Sequence, residues 1–440
     1  MFFTLNKTLD VILLAISLFI LSGTIILTFK TRFVQFRMIP EMFKLLFQSF
    51  FKKKKQFTTD TIPAYKALFT AMSTSIGIGN IVSPIIAIKL GGPGALLGFL
   101  LAAIFGSAST FVEVTFALKY RKENLDGTIS GGPMQYIKQV LPQSFSMLYA
   151  YAGFLTLVVW SSNQANALSD LLKPRGIPGY ITGIILAITI TYILLGGIQR
   201  VGNFSARLVP VMFLLYCFAT LWIIIFNIEK LPSTINLIFR SAFTPKAIFG
   251  AGTAFGFHTA FRWGLAKGFF ANEAGLGFPT IPHSMSQSKT PINQGILSML
   301  SVYSNGFLCL LSGLTVLLTD TWLNSNLGIG INILAQSLKL YFGSIGIIIL
   351  MLSALLFAFG TIVGNSYNGS QCFLYATQNQ GLKYYYIFIA LIIFIGSISE
   401  VETLAKITDL CLIPLAIPNV LGIILLAFKR YDLLKTNQIN

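Results

Sequence analysis

The sequence predicts an all-α integral membrane protein with about eleven transmembrane helices, and three observations carry that prediction. Of its 440 residues, 55% are hydrophobic and only 10% are charged, whereas a soluble domain carries roughly 25% charged residues. Mean hydropathy is +0.76. The apolar residues fall in repeated runs of roughly 20, the length that crosses a bilayer core about 30 Å thick. No large extramembrane domain fits in what remains.

Charge-poor runs place span 1 near residues 9–29, span 2 near 64–88, span 3 near 95–118 and span 4 near 145–169. Span 5 follows near 178–196, span 6 near 206–227, span 7 near 247–283 and span 8 near 293–318. Span 9 lies near 343–373, span 10 near 384–399 and span 11 near 409–428. Basic residues follow span 1 without a small-residue cleavage pattern, so it reads as a retained helix. The four cysteines, Cys217, Cys309, Cys372 and Cys411, all lie in apolar runs, as small buried hydrophobes do. Gly91 to Gly94 reads as a tight turn. No Gly-Lys-Ser/Thr follows it, so it is not a phosphate loop.

The net charge of +17 does not signal nucleic acid, because the basic residues sit in short connectors between spans. With the N-terminus outside and eleven crossings, 20 of the 31 Lys and Arg residues fall in inside segments, namely 30–66, 119–138, 200–207, Lys289, Lys383 and 429–435. Nine fall outside, and Arg262 and Lys267 lie within span 7. That bias predicts a cytoplasmic C-terminus in a multi-pass plasma-membrane protein. The run Lys52–Lys55 dominates it and is suited to anionic lipid. Nothing in the sequence signals an obligate protein partner.

Two spans are interrupted. Span 2 contains Ser75-Ile76-Gly77-Ile78-Gly79-Asn80 and then Pro84. Two glycines and a proline weaken a helix and free backbone groups, which is tolerated at membrane depth only where protein or a wet cavity satisfies them. Span 7 contains Arg262, Gly264, Lys267 and Gly268, then Phe270-Ala271-Asn272-Glu273-Ala274-Gly275-Leu276-Gly277. Setting span 1 aside, these spans open two five-helix halves, 63–230 and 231–430. Residues 1–62 hold the extra helix and a basic connector, and 431–440 form a tail. Five is odd, so the halves are inverted. Paired discontinuous helices in inverted repeats mark a transporter binding site, and the arrangement resembles the leucine-transporter type.

A guest with an amine and a carboxylate needs donors and acceptors at such breaks. Free amides at a half-helix N-terminus suit a carboxylate. Free carbonyls and hydroxyls suit a sodium ion or an ammonium group, and Ser73, Thr74 and Ser75 on span 2 and Thr361 on span 9 are candidates. Span 4 offers the polar run Ser161-Ser162-Asn163-Gln164-Ala165-Asn166. Glu113 and Glu273 are costly to bury and mark functional positions; alternatively, Glu273 pairs with Arg262 or Lys267, and Glu113 sits at the membrane edge beside Lys119. His258 reads as a core residue and His283 as an interfacial one. There is no HExxH, no Gly-x-Ser-x-Gly and no His/Cys cluster, so a membrane enzyme is unsupported. A passive channel or a non-transporting sensor on the same scaffold remains the alternative class.

From about residue 60 onward the chain resembles the alanine or glycine:cation symporter family. The matching stretches are Gly77-Ile78-Gly79-Asn80-Ile81, Leu90-Gly91-Gly92-Pro93-Gly94 and Asp126-Gly127-Thr128-Ile129-Ser130-Gly131-Gly132-Pro133-Met134. Gly196-Gly197-Ile198-Gln199-Arg200, Asn272-Glu273-Ala274-Gly275-Leu276-Gly277 and Ile417-Pro418-Asn419 follow. The resemblance implies a 5+5 inverted repeat plus one N-terminal helix, and sodium-coupled uptake of alanine or glycine. It implies that Gly77 and Gly79 present backbone to the substrate, and that Gln164, Phe270 and Asn272 lie near it. It implies that Thr361 lies near the sodium ion or the substrate, while Ser73 and Thr74 are candidate ion ligands by their hydroxyls alone. The chain departs from the family at Ile78, where Thr is usual. On span 9 the usual Gly-Trp-Ser-Tyr-Tyr-Gly-Glu is replaced by Gly364-Asn365-Ser366-Tyr367-Asn368-Gly369-Ser370. Asn365 in place of an indole implies a larger or wetter substrate pocket.

Overall fold

The computed structural model describes residues 2–51, 61–124, 127–243, 259–288, 290–324, 326–328, 330–399 and 401–436. Its helices fall where the apolar runs place them. Span 1 is Phe2–Lys30, span 3 Ala95–Tyr120, span 4 Gln143–Leu172, span 5 Gly179–Leu194 and span 6 Gly197–Phe226. Span 8 is Pro291–Leu318, span 9 Ser344–Ala376, span 10 Leu382–Ile398 and span 11 Val401–Lys429. Span 2 is two helices, Ala64–Ser75 and Ile78–Gly91, bent by 45°. Span 7 is described as Thr259–Asn272 and Thr280–Ser284; its expected beginning, with His258, lies outside the described residues.

Among the described residues, six continuous helices are long and apolar enough to cross a membrane, and the bent pair forms a seventh crossing. Leu14–Lys30, Gly179–Leu194 and Leu382–Ile398 are shorter apolar helices. The remaining expected crossing is span 7. Three further helices occupy stretches between the apolar runs: Ile39–Phe51, Leu231–Phe243 and Ile331–Phe342. Each is too short to span a bilayer and carries one apolar and one polar face. Ile39–Phe51 buries Met42 and exposes Phe43, Phe47 and Phe51, as a helix lying in the membrane interface does. The basic run Lys52–Lys55 that follows it lies outside the described residues.

The packing has a simple rule. Span 2 packs on span 7, span 3 on span 8, span 4 on span 9 and span 5 on span 10. Four of the five members of one half thus meet their counterparts in the other, while span 6 packs on spans 9, 2 and 8, and span 11 on spans 4 and 1. Span 1 stands apart from this scheme and packs on spans 11 and 3. Small residues bring the inner helices close: a Cβ on Gly98 of span 3 would lie 2.6 Å from the Leu265 nitrogen of span 7, the backbone-to-backbone approach that glycine permits between membrane helices.

The chain ends of the helices sort into two groups. At one end Ile62 donates its N–H to the Met285 carbonyl (3.0 Å), and Gln287 returns an N–H to the Ile62 carbonyl (2.9 Å). Arg121 there donates to the carbonyls of Ser284 (2.8 Å) and Ser286 (2.6 Å), and Gln199 to that of Thr61 (2.6 Å). At the other end Lys89 donates to the carbonyls of Trp322 and Asn324, and Lys230 pairs with Asp320 at 3.5 Å. Every segment that the Lys and Arg distribution assigns to one side, among those in these contacts, meets only segments assigned to the same side.

Candidate functional site

The break in span 2 exposes groups that a continuous helix would pair internally. Ile76 ends the first half-helix in an extended conformation and Gly77 starts the second. The Ile76 carbonyl accepts from Thr361 Oγ1 of span 9 at 3.0 Å. The Gly77 N–H donates to Asn80 Oδ1 at 2.8 Å, and the Ile78 N–H to Gln164 Oε1 of span 4 at 3.3 Å. Asn80 turns its nitrogen to Asn305 Oδ1 (3.2 Å). Gly77 is required sterically: a Cβ there would lie 2.9 Å from Thr361 Oγ1 and 3.1 Å from Gln164 Nε2.

Span 7 breaks just after Asn272. Glu273, Gly275 and Gly277 have φ values of 53°, 79° and 81°, a left-handed run in which a helix cannot continue. Its free carbonyls are taken by other spans. Asn419 Nδ2 donates to Gly275 (2.9 Å), Tyr149 Oη to Leu276 (2.5 Å) and Asn368 Nδ2 to Phe278 (3.3 Å). Asn419 Oδ1 accepts from the Tyr136 hydroxyl. Glu113 is fully buried rather than at the membrane edge beside Lys119, and its Oε1 accepts from Ser109 Oγ and Asn419 Nδ2, both at 3.0 Å. Unwound backbone is thereby satisfied by protein.

The two breaks face one cavity of about 320 Å³. Of the residues that the sequence singles out, Thr74, Gly77, Gly79, Gln164, Phe270, Thr361 and Asn365 all line it. Ser75 and Glu273 do so too, and Glu273 accepts from Thr74 Oγ1 at 3.3 Å. Lys267 lines the same cavity, and the Arg262 side chain lies outside the described residues. Two expected residues are placed elsewhere. Ser73 turns from the cavity to Ser205 Oγ of span 6, at 3.1 Å. Asn272 is buried and does not line the cavity.

The walls also include Asn80, Ser83, Trp160, Asn163 and Leu412. Asn80 belongs to the glycine-rich run of span 2 and Asn163 to the polar run of span 4, whereas nothing in the sequence distinguishes Trp160 or Leu412. Asn365 is fully buried, and neither polar atom of its amide has a hydrogen-bond partner among the described residues. His283 is buried rather than interfacial, with Gln294 Nε2 2.6 Å from its Nδ1. Among the described residues no three of His, Cys, Asp or Glu come together as metal ligands. The cavity wall is rich in hydroxyl, amide and carboxylate oxygens, the donors that hard cations take.

Known proteins place this geometry. The chain is 34% identical over 414 residues to an uncharacterised transporter of Haemophilus influenzae, covering 92% of this chain and 90% of that one. It is 32% identical over 423 residues to the sodium/alanine symporter AgcS of Methanococcus maripaludis, covering 93% and 91%. It is also 30% identical over 423 residues to the probable sodium/glutamine symporter GlnT of Bacillus subtilis, covering 94% and 86%. The crystal structure of MhsT in complex with L-phenylalanine superposes with a TM-score of 0.59 at 14% identity, over 82% of this chain and 88% of that one. At such identity the likeness establishes the leucine-transporter-type fold. Residues 2–438 match the profile of the sodium:alanine symporter family. With the paired breaks, the shared cavity and this whole-length match, the chain is a multi-pass membrane transporter that belongs to the sodium:alanine symporter family.

Proposed function

We propose that the protein is a sodium-coupled symporter of small neutral amino acids, with alanine and glycine as reference substrates, working by alternating access in the plasma membrane. The observation that carries this reading is the contact between Thr361 Oγ1 and the Ile76 carbonyl at 3.0 Å, made at a helix break that opens into the cavity. Two oxygens at that spacing belong naturally to the shell of one cation, and unwound carbonyls of broken helices hold coupling ions in transporters of this architecture. Thr74 and Glu273 bring a second oxygen pair to the same cavity.

The substrate carboxylate is received at the start of the half-helix Ile78–Gly91. Its first amides lack intrahelical acceptors and carry the positive end of the helix dipole. Gly79 faces the cavity with open space around it, the one neighbour of a Cβ placed there being Ser83 Oγ at 3.9 Å. Gln164 and Phe270 supply the polar and aromatic walls beside it. The positive-inside bias puts the Ile62–Ser286 bridge and the Arg121 contacts on the cytoplasmic side. They hold the start of span 2 and the end of span 3 to the end of span 7 there, so release to the cytoplasm requires them to part. The relatives named for sodium/alanine and sodium/glutamine symport support the reading of ion and substrate class.

Thermal unfolding of the purified protein, with a panel of amino acids in sodium or potassium, tests this reading. A ligand that binds only the native state raises the unfolding temperature. The reading expects alanine or glycine to stabilise in sodium and not in potassium. Equal stabilisation in both salts would remove the coupling ion from the account.

A further inference from the structure

Asn365 lies one helical turn beyond Thr361 on span 9, so both project from the same face. Its side chain is fully buried and lines the cavity, and its amide oxygen and nitrogen are both without partners among the described residues. Two other amides of the wall are engaged: Gln164 Oε1 receives the Ile78 N–H, and Asn80 joins the Gly77 N–H to Asn305. A buried amide left unpaired is unfavourable, and the residue that carries it lines the cavity.

The group that answers an amide is another amide. A carboxamide offers one acceptor and an NH2 donor in one plane, matching the donor and acceptor of Asn365. A methyl group reaches neither atom, a carboxylate only accepts, and an ammonium only donates. An alkyl side chain of the same size would seal the amide from water without pairing it, the situation that sites built for hydrogen bonding reject most strongly.

Resting on the reading of this cavity as an amino-acid site, we propose that Asn365 is a specificity-determining residue that selects neutral amino acids with a carboxamide side chain over apolar ones of equal size. Asparagine and leucine form the matched pair of probes, since they share a branched four-atom side-chain frame. Glutamine tests one added methylene.

The experiment is competition against sodium-driven uptake of labelled alanine in proteoliposomes, joined to thermal unfolding of the same protein with each unlabelled amino acid. Asparagine should compete about tenfold more strongly than leucine, the factor that one buried hydrogen-bond mismatch produces, and should stabilise the protein more. In the variant Asn365→Leu the order should reverse in both measurements. Leucine competing as well as asparagine, or an unchanged order in Asn365→Leu, would overturn the proposal while sodium-driven alanine uptake kept the symport reading intact. Alanine uptake with neither probe competing or stabilising would overturn it as well. Conversely, asparagine stabilisation without sodium-driven uptake of any probe would support the pocket and refute symport.

Discussion

The hydroxyl of Thr361 donates to the Ile76 carbonyl at 3.0 Å, joining span 9 to the break in span 2, 285 positions away in sequence. The proposed sodium ligation rests on these two oxygens. Replacing Thr361 with Val preserves shape and removes the hydroxyl, whereas Ser keeps it. Thr361→Val should raise the sodium concentration for half-maximal uptake by roughly tenfold, the effect of one hydrogen-bonding group of about 1.4 kcal/mol. Thr361→Ser should stay near wild type. Equal sodium dependence in the two variants would remove Thr361 from the ion site.

Gly77 and Gly79 stand two residues apart and should respond differently to a methyl group. A Cβ on Gly77 meets Thr361 Oγ1 at 2.9 Å and Gln164 Nε2 at 3.1 Å, whereas on Gly79 it meets only Ser83 Oγ at 3.9 Å. Gly77→Ala should therefore abolish uptake by pushing spans 4 and 9 from the break. Gly79→Ala should fold normally and raise the KM several-fold, because its methyl enters the cavity. Uptake kinetics of the two variants, with thermal stability as the folding control, check the contrast.

Glu113 holds Asn419, which in turn holds the unwound carbonyl of Gly275. Glu113→Ala leaves the buried Ser109 hydroxyl and Asn419 amide without their acceptor and should cost about 1–3 kcal/mol of stability. Glu113→Gln retains an acceptor oxygen and should cost less than half as much. Denaturation of both variants decides whether the acceptor or the carboxylate as such is needed.

Ile62 and Ser286 form a parallel bridge where span 2 begins and span 7 ends. If these segments part during the transport cycle, a covalent link between them should arrest it. The double substitution Ile62→Cys and Ser286→Cys should lose most uptake on oxidation and regain it with reductant. The native cysteines supply no competing pair: Cys217, Cys309 and Cys372 are buried, and all four are free. Undiminished uptake in the cross-linked protein would place the moving contact elsewhere.

Much of the fold is legible in the sequence because bilayer thickness sets the length of each apolar run, and the break in span 2 is legible because Gly77, Gly79 and Pro84 crowd one run. The short helices Ile39–Phe51, Leu231–Phe243 and Ile331–Phe342 escape that logic. They lack the length of a span and read as connectors. At the site, residue types are easier to infer than directions. Ser73 and Thr74 are equivalent in composition, yet successive helical residues point about 100° apart. Only Thr74 lines the cavity, while Ser73 meets Ser205. Tyr149 and Asn419 act on backbone carbonyls of span 7, partners that carry no side-chain signature. His283 looks interfacial from its place at a span end, but Gln294 of span 8 covers it.

In the proposed cycle, cation binding at the span 2 break drives amino-acid movement. Sealed proteoliposomes carrying the purified protein, given an inward sodium gradient and labelled alanine, test it most directly. The account predicts uphill accumulation that collapses when sodium is equal on both sides or replaced by potassium, and that weakens in Thr361→Val. Alanine or glycine entry that is insensitive to any cation gradient would contradict it.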